Sequence, residues 1–521
     1  MKNPSSIFNE VLGPIYYGPS SSHTAAPGRI GKAARTILGE DICSAKLLFD
    51  PESSYAAVYK AQASDRGFIT GLLNIDINDP QALRAFELAG ELGVSVEFVV
   101  EELANKHPNY ALIRMTGISG QNLSVGSIST GGGNYEIADV DGLPTEITGD
   151  NNYYLIQSSR PDEVLAFLYK NGGFSKDDIQ KAEKDGVFLL TARTVKAIDN
   201  TILQAVANLP GVVWCKYVEA LFPILACGNT KMPFLTATQA LVYARRLNLS
   251  VGEVAIHYES ARSGKNESQI IELAKEYAHA MEDTVQKGLD YAENKKMYKA
   301  FDLSAATLQS NATAFSPFIG ILSDACIRAT AAMECLNLHG CIVASPTGGA
   351  CGVLPATVLP LGKQTGKSEE KIARALLVAG IVGVFISHQA TFGGEVGACQ
   401  AEIGSGSAMA AAGLVDLMDG TIDQAFDAAS LALQNMLGSV CDPVGGVGVV
   451  PCIARNSMGA ANAYICAHMI MAGFPSYISL DDSIKAMMDV GNRLPASLRC
   501  TSCAGLAVTD SGREFAKKIQ M

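Results

Sequence analysis

A chain of 521 residues is long enough for two or three domains, each with an ample core. Its 40 basic and 52 acidic residues give a net charge of −12 with no Lys/Arg cluster, which argues against nucleic acid or an anionic membrane as a partner. Hydrophobic residues make up 48% of the chain and glycine occurs 50 times, a composition of tightly packed small-residue helices rather than of disorder.

At the start, Met1-Lys2-Asn3-Pro4 leads into a mixed segment without an apolar core, so no secretory leader and a cytoplasmic location are expected. Thirteen cysteines in such a chain favour thiols and metal ligands over disulfides. Residues 1–150 mix strands and helices. Lys46 to Asp50 and Ser95 to Val100 read as strands, and Pro80 to Leu92 as a helix. Gly131-Gly132-Gly133 is a turn before Asn134 to Ile137, and the polar break Gly149 to Asn152 closes this domain. Residues 153–222 form a small second unit. Strands are expected at Tyr153 to Gln157, Val187 to Ala192 and Val212 to Val218, with helices at Asp162 to Tyr169 and Lys196 to Asn208. Asp177 to Lys184 is polar and reads as more helical than extended, so one strand of a β-α-β-β-α-β order is missing. From residue 228 to 521 the pattern is helical. Ala237 to Arg246 and Ser268 to Lys287 carry the 3.6-residue period, and Ala408 to Met418 is an Ala-rich helix. The apolar run Ala375 to Ile386 is too short to span a bilayer and reads as a buried helix. The fold class expected is multidomain, α+β first and all-α last.

Three cysteines in this helical part have distinctive surroundings: Gly397-Ala398-Cys399-Gln400-Ala401-Glu402, Cys441-Asp442-Pro443-Val444-Gly445-Gly446 and Pro451-Cys452-Ile453-Ala454-Arg455-Asn456. Three thiolates can bind three irons of a cubane and leave the fourth open to a substrate oxygen. On spacing alone they are equally inert buried thiols. Nearer the start, Ser20, Ser21, Ser22 and Thr24 precede an apolar helix containing Ile30, Ala33, Ala34 and Ile37. Hydroxyls and free N–H groups at a helix start can hold an anion such as a substrate carboxylate. A simple N-cap would need only one hydroxyl. His23 lies inside this cluster.

The words Gly18-Pro19-Ser20-Ser21-Ser22-His23-Thr24-Ala25 and Arg29-Ile30-Gly31-Lys32-Ala33-Ala34-Arg35, with Ser345-Pro346-Thr347-Gly348-Gly349-Ala350-Cys351-Gly352 and the three cysteine contexts, resemble the iron–sulfur-dependent L-serine dehydratases. The resemblance spans nearly the whole chain. It implies a β domain at the start, an ACT-like domain over 153–222 and an α domain that holds a [4Fe-4S] cluster on Cys399, Cys441 and Cys452. It further implies β-elimination from a small amino acid, serine by default, giving a 2-keto acid and ammonia. A homodimer is expected because relatives are commonly dimers. His23, Arg455 and Arg499 become catalytic candidates. Ser20, Ser21, Ser22, Thr24, Lys60, Gln62, Asp65, Ser345, Thr347, Gly348, Gly349 and Asn456 become substrate-binding candidates. The glycines of the Pro-Thr loop would let backbone N–H groups approach an anion. The Ser20–Thr24 loop is expected to face the three thiolates.

Departures from the family fall in the same words. Its Lys-Gly-His-Gly-Thr-Asp stretch reads Lys60-Ala61-Gln62-Ala63-Ser64-Asp65 here, and Gln62 cannot accept a proton at neutral pH. The Asn-Ala-Ser-Ile-Ser-Gly before the first ligand has become Gln389-Ala390-Thr391-Phe392-Gly393-Gly394. Arg499-Cys500-Thr501-Ser502-Cys503 stands where the family has Arg-Glu-Thr. Cys500 or Cys503 is therefore a candidate fourth ligand. These changes suit a retained cluster and an altered substrate, either a β-thiol amino acid such as cysteine or a larger β-hydroxy amino acid. A reading of another class is a non-catalytic protein that senses ligand or cluster state. The loss of the family histidine supports it, and the retained cysteines and loops oppose it.

Overall fold

The computed structural model describes residues 3–227, 231–293 and 301–520. Met1-Lys2 and the expected start of the helical domain at residue 228 lie outside them. The chain forms two compact units, one of His23–Thr130 with Asn134–Asn229, the other of Met1–Ser22, Gly131–Gly133 and Thr230–Met521.

In the mixed unit, α1 (Ala26–Leu38) is followed by β2 (Ile42–Phe49), the short helices α2 (Ser54–Val58), α3 (Ser64–Leu72) and α4 (Ala85–Glu91), and β3 (Ser95–Val100). The label β1 belongs to Ile15–Tyr17 in the helical unit. Strands β4 (Tyr110–Gly117), β5 (Asn122–Gly131), β6 (Asn134–Val140) and β7 (Leu143–Ile147) complete a six-stranded sheet of order β3-β2-β4-β5-β6-β7. The β2–β3 pair is parallel, and β2–β4 and β4–β5 are antiparallel. Ile30, Ala33, Ala34 and Ile37, one face of α1, pack with Leu47, Phe49, Phe68, Ile113 and Val125 into the core, which hides apolar surface from water.

A second sheet follows from β8 (Asn152–Ser158), α5 (Pro161–Phe167), β9 (Ile179–Lys184), β10 (Val187–Thr194), α6 (Asn200–Ala207) and β11 (Val212–Val218), in the order β11-β8-β10-β9, antiparallel throughout. The strand that the sequence left out is therefore present. Only Lys176–Asp178 forms a helical turn, and Ile179–Lys184 pairs with Val187 to Ala192. The reason is the Asp185-Gly186 turn, whose φ values of 53° and 77° are those a type I′ hairpin needs. Tyr153, Leu155, Leu189 and Val218 of this sheet join the same core as Ile113 and Ile147, so the two sheets share one interior.

Asp50, at the end of β2, illustrates how the mixed unit holds a loop. Its carboxylate takes the Lys106 ammonium at 2.6 Å and the N–H groups of Leu103 and Glu52 at 3.0 Å. These contacts, Lys106 first, bring its pKa from 3.8 down to about 2. A carboxylate with a depressed folded pKa stabilises the fold above its unfolded value and loses that contribution as pH falls through the folded one. Unfolding midpoints should thus drop between about pH 4 and pH 2, and Asp50→Asn should flatten that part of the profile. Denaturant titrations of both proteins across this range check it, and equal slopes would contradict it.

The helical unit is reached through β1, which pairs antiparallel with β12 (Cys341–Val343). Its helices are α7 (Ala237–Leu247), α8 (Val251–Ser263), α9 (Glu267–Glu293), α10 (Ala305–Ile319), α11 (Ile321–Asn337), α12 (Val358–Gln364), α13 (Glu369–Gln389), α14 (Gly394–Cys399), α15 (Ser405–Leu417), α16 (Ile422–Gln434), α17 (Cys452–Met471), α18 (Leu480–Arg493) and α19 (Asp510–Gln520). At the centre, α13 packs on α15 and α9, and α15 on α16 and α17. Small residues permit this: a Cβ on Gly413 of α15 would stand 2.9 Å from the Ala375 carbonyl oxygen of α13. Among the described residues, α13 is the one helix long and apolar enough to cross a membrane, and most of it is buried within this unit.

Candidate functional site

Two of the three singled-out cysteines sit where a helix starts or stops, and the third lies in a loop. Cys399 ends α14 beside Ala398, whose φ of 60° and ψ of −164° break the helix. Cys452 opens α17. Cys441 lies in the loop after α16, where its N–H donates to the Leu498 carbonyl and its carbonyl accepts from the Cys500 N–H. That parallel bridge carries a fourth sulfur to the others. The sulfurs of Cys399 and Cys441 and a carboxylate oxygen of Glu402 lie within 4.8 Å of one another. The Cys441 thiol also hydrogen-bonds with Cys500, and Cys452 lies within electrostatic reach of Cys399, Glu402 and Cys500. Cys503 stays apart, exposed and donating to the Thr501 carbonyl. Cys399, Cys441, Cys452, Cys500 and Cys503 form no disulfide.

The electrostatics divide the thiols. A hydrogen bond from Cys441, followed by the nearby Arg455, holds the Cys399 thiol below its ordinary range. Cys441 is pushed well up by its hydrogen bonds to Cys399 and Cys500 and by burial. Burial, then the anionic Cys399, raises Cys452. Cys500 is lowered by its bond to Cys441, but burial and the carboxylates of Glu395 and Glu402 leave it raised overall. Arg455 is the cation of the group. It donates to the Cys399 sulfur at 3.4 Å, the Val440 carbonyl at 2.7 Å and the Asp442 carboxylate at 2.9 Å. Asp442 also accepts the Leu506 N–H.

The Pro-Thr loop lies against this group. Thr347 Oγ1 donates to Glu402 at 3.0 Å, and the Gly348 N–H donates to Ser21 Oγ at 3.1 Å. A Cβ on Gly349 would stand 2.9 Å from Glu402 Oε1, so a larger residue there would have to displace that carboxylate. Asn456, fully buried, donates to the Gly349 and Cys452 carbonyls and accepts from the Gly352 N–H, tying the loop to the start of α17. The Ser345 hydroxyl is buried with no hydrogen-bond partner. Ser22 donates to Glu395 at 3.0 Å, and Ser20 precedes Ser21 in the same segment. Arg499 donates weakly to the Val396 carbonyl, while its buried Nε has no partner.

His23, Thr24, Lys60, Gln62 and Asp65 belong to the mixed unit and are grouped there. His23 Nε2 bonds Ser54 Oγ at 2.7 Å and its ring rests edge-on against Tyr55. Thr24 donates to the Gln62 carbonyl. Burial raises the Asp65 carboxyl, and Lys60 is exposed over the Tyr59 ring.

Sequence reasoning missed Glu402, Glu395, Asp442 and Tyr16. Glu402 carries a signal, since it follows Cys399 by three residues on a continuing helical path and so shares its face. Burial, then Cys399 and Glu395, pushes its carboxyl far above the usual range. Tyr16 has no local signal, because only the β1–β12 pairing brings it to the loop.

Residues 246–507 match the family model described as serine dehydratase alpha chain. The chain is 37% identical over 287 residues to the probable L-serine dehydratase, alpha chain, of Bacillus subtilis, covering 55% of this chain and 95% of that protein. Against the L-serine dehydratase, alpha chain, of Peptoniphilus asaccharolyticus it is 33% identical, covering 54% and 96%. It is 32% identical to the L-serine dehydratase of Streptomyces coelicolor, covering 53% of this chain and 61% of that one.

Proposed function

Since the chain belongs to the serine dehydratase alpha-chain family and is an enzyme of that ammonia-lyase kind, we propose that it eliminates the β-substituent of a small amino acid, leaving a 2-keto acid and ammonia. The observation that carries this reading is the convergence of Cys399, Cys441, Cys452 and Cys500, from four stretches of sequence, beside Glu402 and Arg455. Buried soft sulfur donors of this number suit a [4Fe-4S] cluster. Cys399, Cys441 and Cys452 would hold it, with Cys500 rather than Cys503 as the fourth ligand at rest, giving way to substrate. When bound, such a cluster supplies a Lewis acid toward a leaving hydroxide or thiolate.

The chain's own residues prepare the site. Arg455 favours the thiolate of Cys399, the form a metal requires, and Asp442 keeps the guanidinium aimed. Asn456 fixes the Pro-Thr loop relative to Cys452, so loop and ligand keep one spacing. Ser21 and the Gly348 loop form the anion-holding part, and Thr347 orients Glu402 toward the thiols. Loss of the α-proton and the β-substituent gives an enamine, which becomes an imine and hydrolyses. We also propose a cytoplasmic homodimer, and an ACT-like role for the β-α-β-β-α-β unit, which its strand order supports.

The substrate we propose is larger or softer than serine. Arg499 keeps a buried N–H without an acceptor, and Gln62 stands where the resembled family's motif has histidine. Losing an acid–base group costs about 10²–10⁴-fold in rate, so an unaltered serine enzyme would be impaired. On anaerobically reconstituted protein, cysteine, threonine or a larger β-hydroxy amino acid should exceed serine in kcat/KM. Serine giving the highest value would refute the altered-substrate reading, and no keto acid from any amino acid would refute the lyase reading.

A further inference from the structure

Tyr16 is wholly buried, and its hydroxyl makes no hydrogen bond of good geometry; the Ser21 hydroxyl is the donor beside it, and the phenol proton has no acceptor. Buried polar groups are almost always paired, so one left open calls for an explanation. The strand that carries it is fixed, with Tyr16 opposite Ile342 in the β1–β12 pair, and β12 runs directly into the Ser345–Thr347 turn. The hydroxyl therefore has a defined place on that loop. A Cβ on Gly348 would meet Tyr16 Oη at 2.3 Å and the Ser21 backbone nitrogen at 3.3 Å. Glycine at 348 thus leaves room for the phenol oxygen itself, which a phenylalanine would not require. The Ser21 hydroxyl beside it accepts the Gly348 N–H and can give its own proton to the phenol oxygen, which leaves the phenol proton to donate elsewhere. The Ser345 hydroxyl, also wholly buried, is a second polar group without a partner in the same loop.

We infer that the Tyr16 hydroxyl donates a hydrogen bond to the α-carboxylate of the bound amino acid, making Tyr16 a substrate-binding residue. This rests on the amino-acid lyase reading above. A phenol serves this purpose because burial keeps it protonated, so it remains a donor across the working pH range. A carboxylate is the acceptor because the surrounding groups, the Ser21 and Ser345 hydroxyls and the glycine backbone, are those that hold anions.

The test uses full-length, anaerobically reconstituted protein and Tyr16→Phe. The probe is 3-hydroxypropanoate, which has the carboxylate and hydroxyl but no amine, with ethanolamine, which has the amine and hydroxyl but no carboxylate. Loss of a hydrogen bond to a charged group should weaken 3-hydroxypropanoate binding about tenfold or more by calorimetry. KM for the preferred amino acid should rise by a similar factor, with kcat changed only a few-fold. Inhibition by ethanolamine and the thermal midpoint should hold. In the Tyr16→Phe background Gly348→Ala should be tolerated, whereas alone it should lower the midpoint. Unchanged 3-hydroxypropanoate binding would overturn the inference, as would equal weakening of both probes with a fall in midpoint. A wild-type protein that binds 3-hydroxypropanoate through Tyr16 but turns over no amino acid would instead defeat the lyase reading alone.

Discussion

Replacing Cys399 by Ser should abolish the brown chromophore and turnover together, to the background of the assay. The thiolate is the metal ligand, and of the four converging thiols Cys399 is the one whose hydrogen bonds to Cys441 and Arg455 favour that form. A serine hydroxyl at the same place is a harder, far less acidic donor and a poor match to iron–sulfur chemistry. Cys441→Ser and Cys452→Ser should behave alike, because each thiol comes from a separate segment, two helix ends and a loop bridge, and none can cover for another. Iron and sulfide content, visible absorbance and keto-acid formation, measured on the same anaerobic preparations, decide the matter. A variant that keeps full iron content and full turnover would remove its cysteine from the site.

Arg455→Met should have the largest effect on stability. The guanidinium is mostly buried, and the Asp442 carboxylate that it meets at 2.9 Å is almost wholly so. Removing one partner of a buried ion pair strands the other charge, which typically costs about 3–5 kcal/mol. The Val440 carbonyl and the Cys399 sulfur lose a donor in the same change. The double variant Arg455→Met with Asp442→Asn should recover part of the loss, since no charge is then left uncompensated. Denaturant unfolding of the cluster-free protein isolates this structural term. A loss of less than about 1 kcal/mol would show that the pair is solvated rather than buried.

Much of the architecture was legible where periodicity is strong. The Ala237, Ser268, Ala375 and Ala408 helices fall inside observed helices, because each buries a long stripe or a whole surface of small residues. The strand at Ile179 was not legible from polarity. Gln180, Lys181, Glu183 and Lys184 face outward on an edge strand, where charge is expected, and only the Asp185-Gly186 hairpin turn announced it. In the site, the surroundings of Cys399, Cys441 and Cys452 were readable because glycine, proline and asparagine there shape loops. Choosing between Cys500 and Cys503 was not possible from a Cys-x-x-Cys spacing. The backbone bridge between Cys441 and the Arg499 segment is what favours Cys500 in the proposed site. Tyr16 lay further out of reach. Its meaning depends on a strand pairing across more than half of the chain and on an absent Cβ at Gly348, and neither leaves a local pattern.

On this reading Cys399, Cys441 and Cys452 hold three irons of a cluster, and the fourth iron exchanges Cys500 for substrate. Mössbauer spectroscopy of ⁵⁷Fe-reconstituted wild-type protein, with and without the best amino acid from the substrate panel, tests it most directly. A cubane of about four irons per chain is expected, of which one site alone changes its isomer shift and quadrupole splitting when substrate is added. Protein that turns over amino acids with no bound iron, or a spectrum in which no single site responds to substrate, would contradict it.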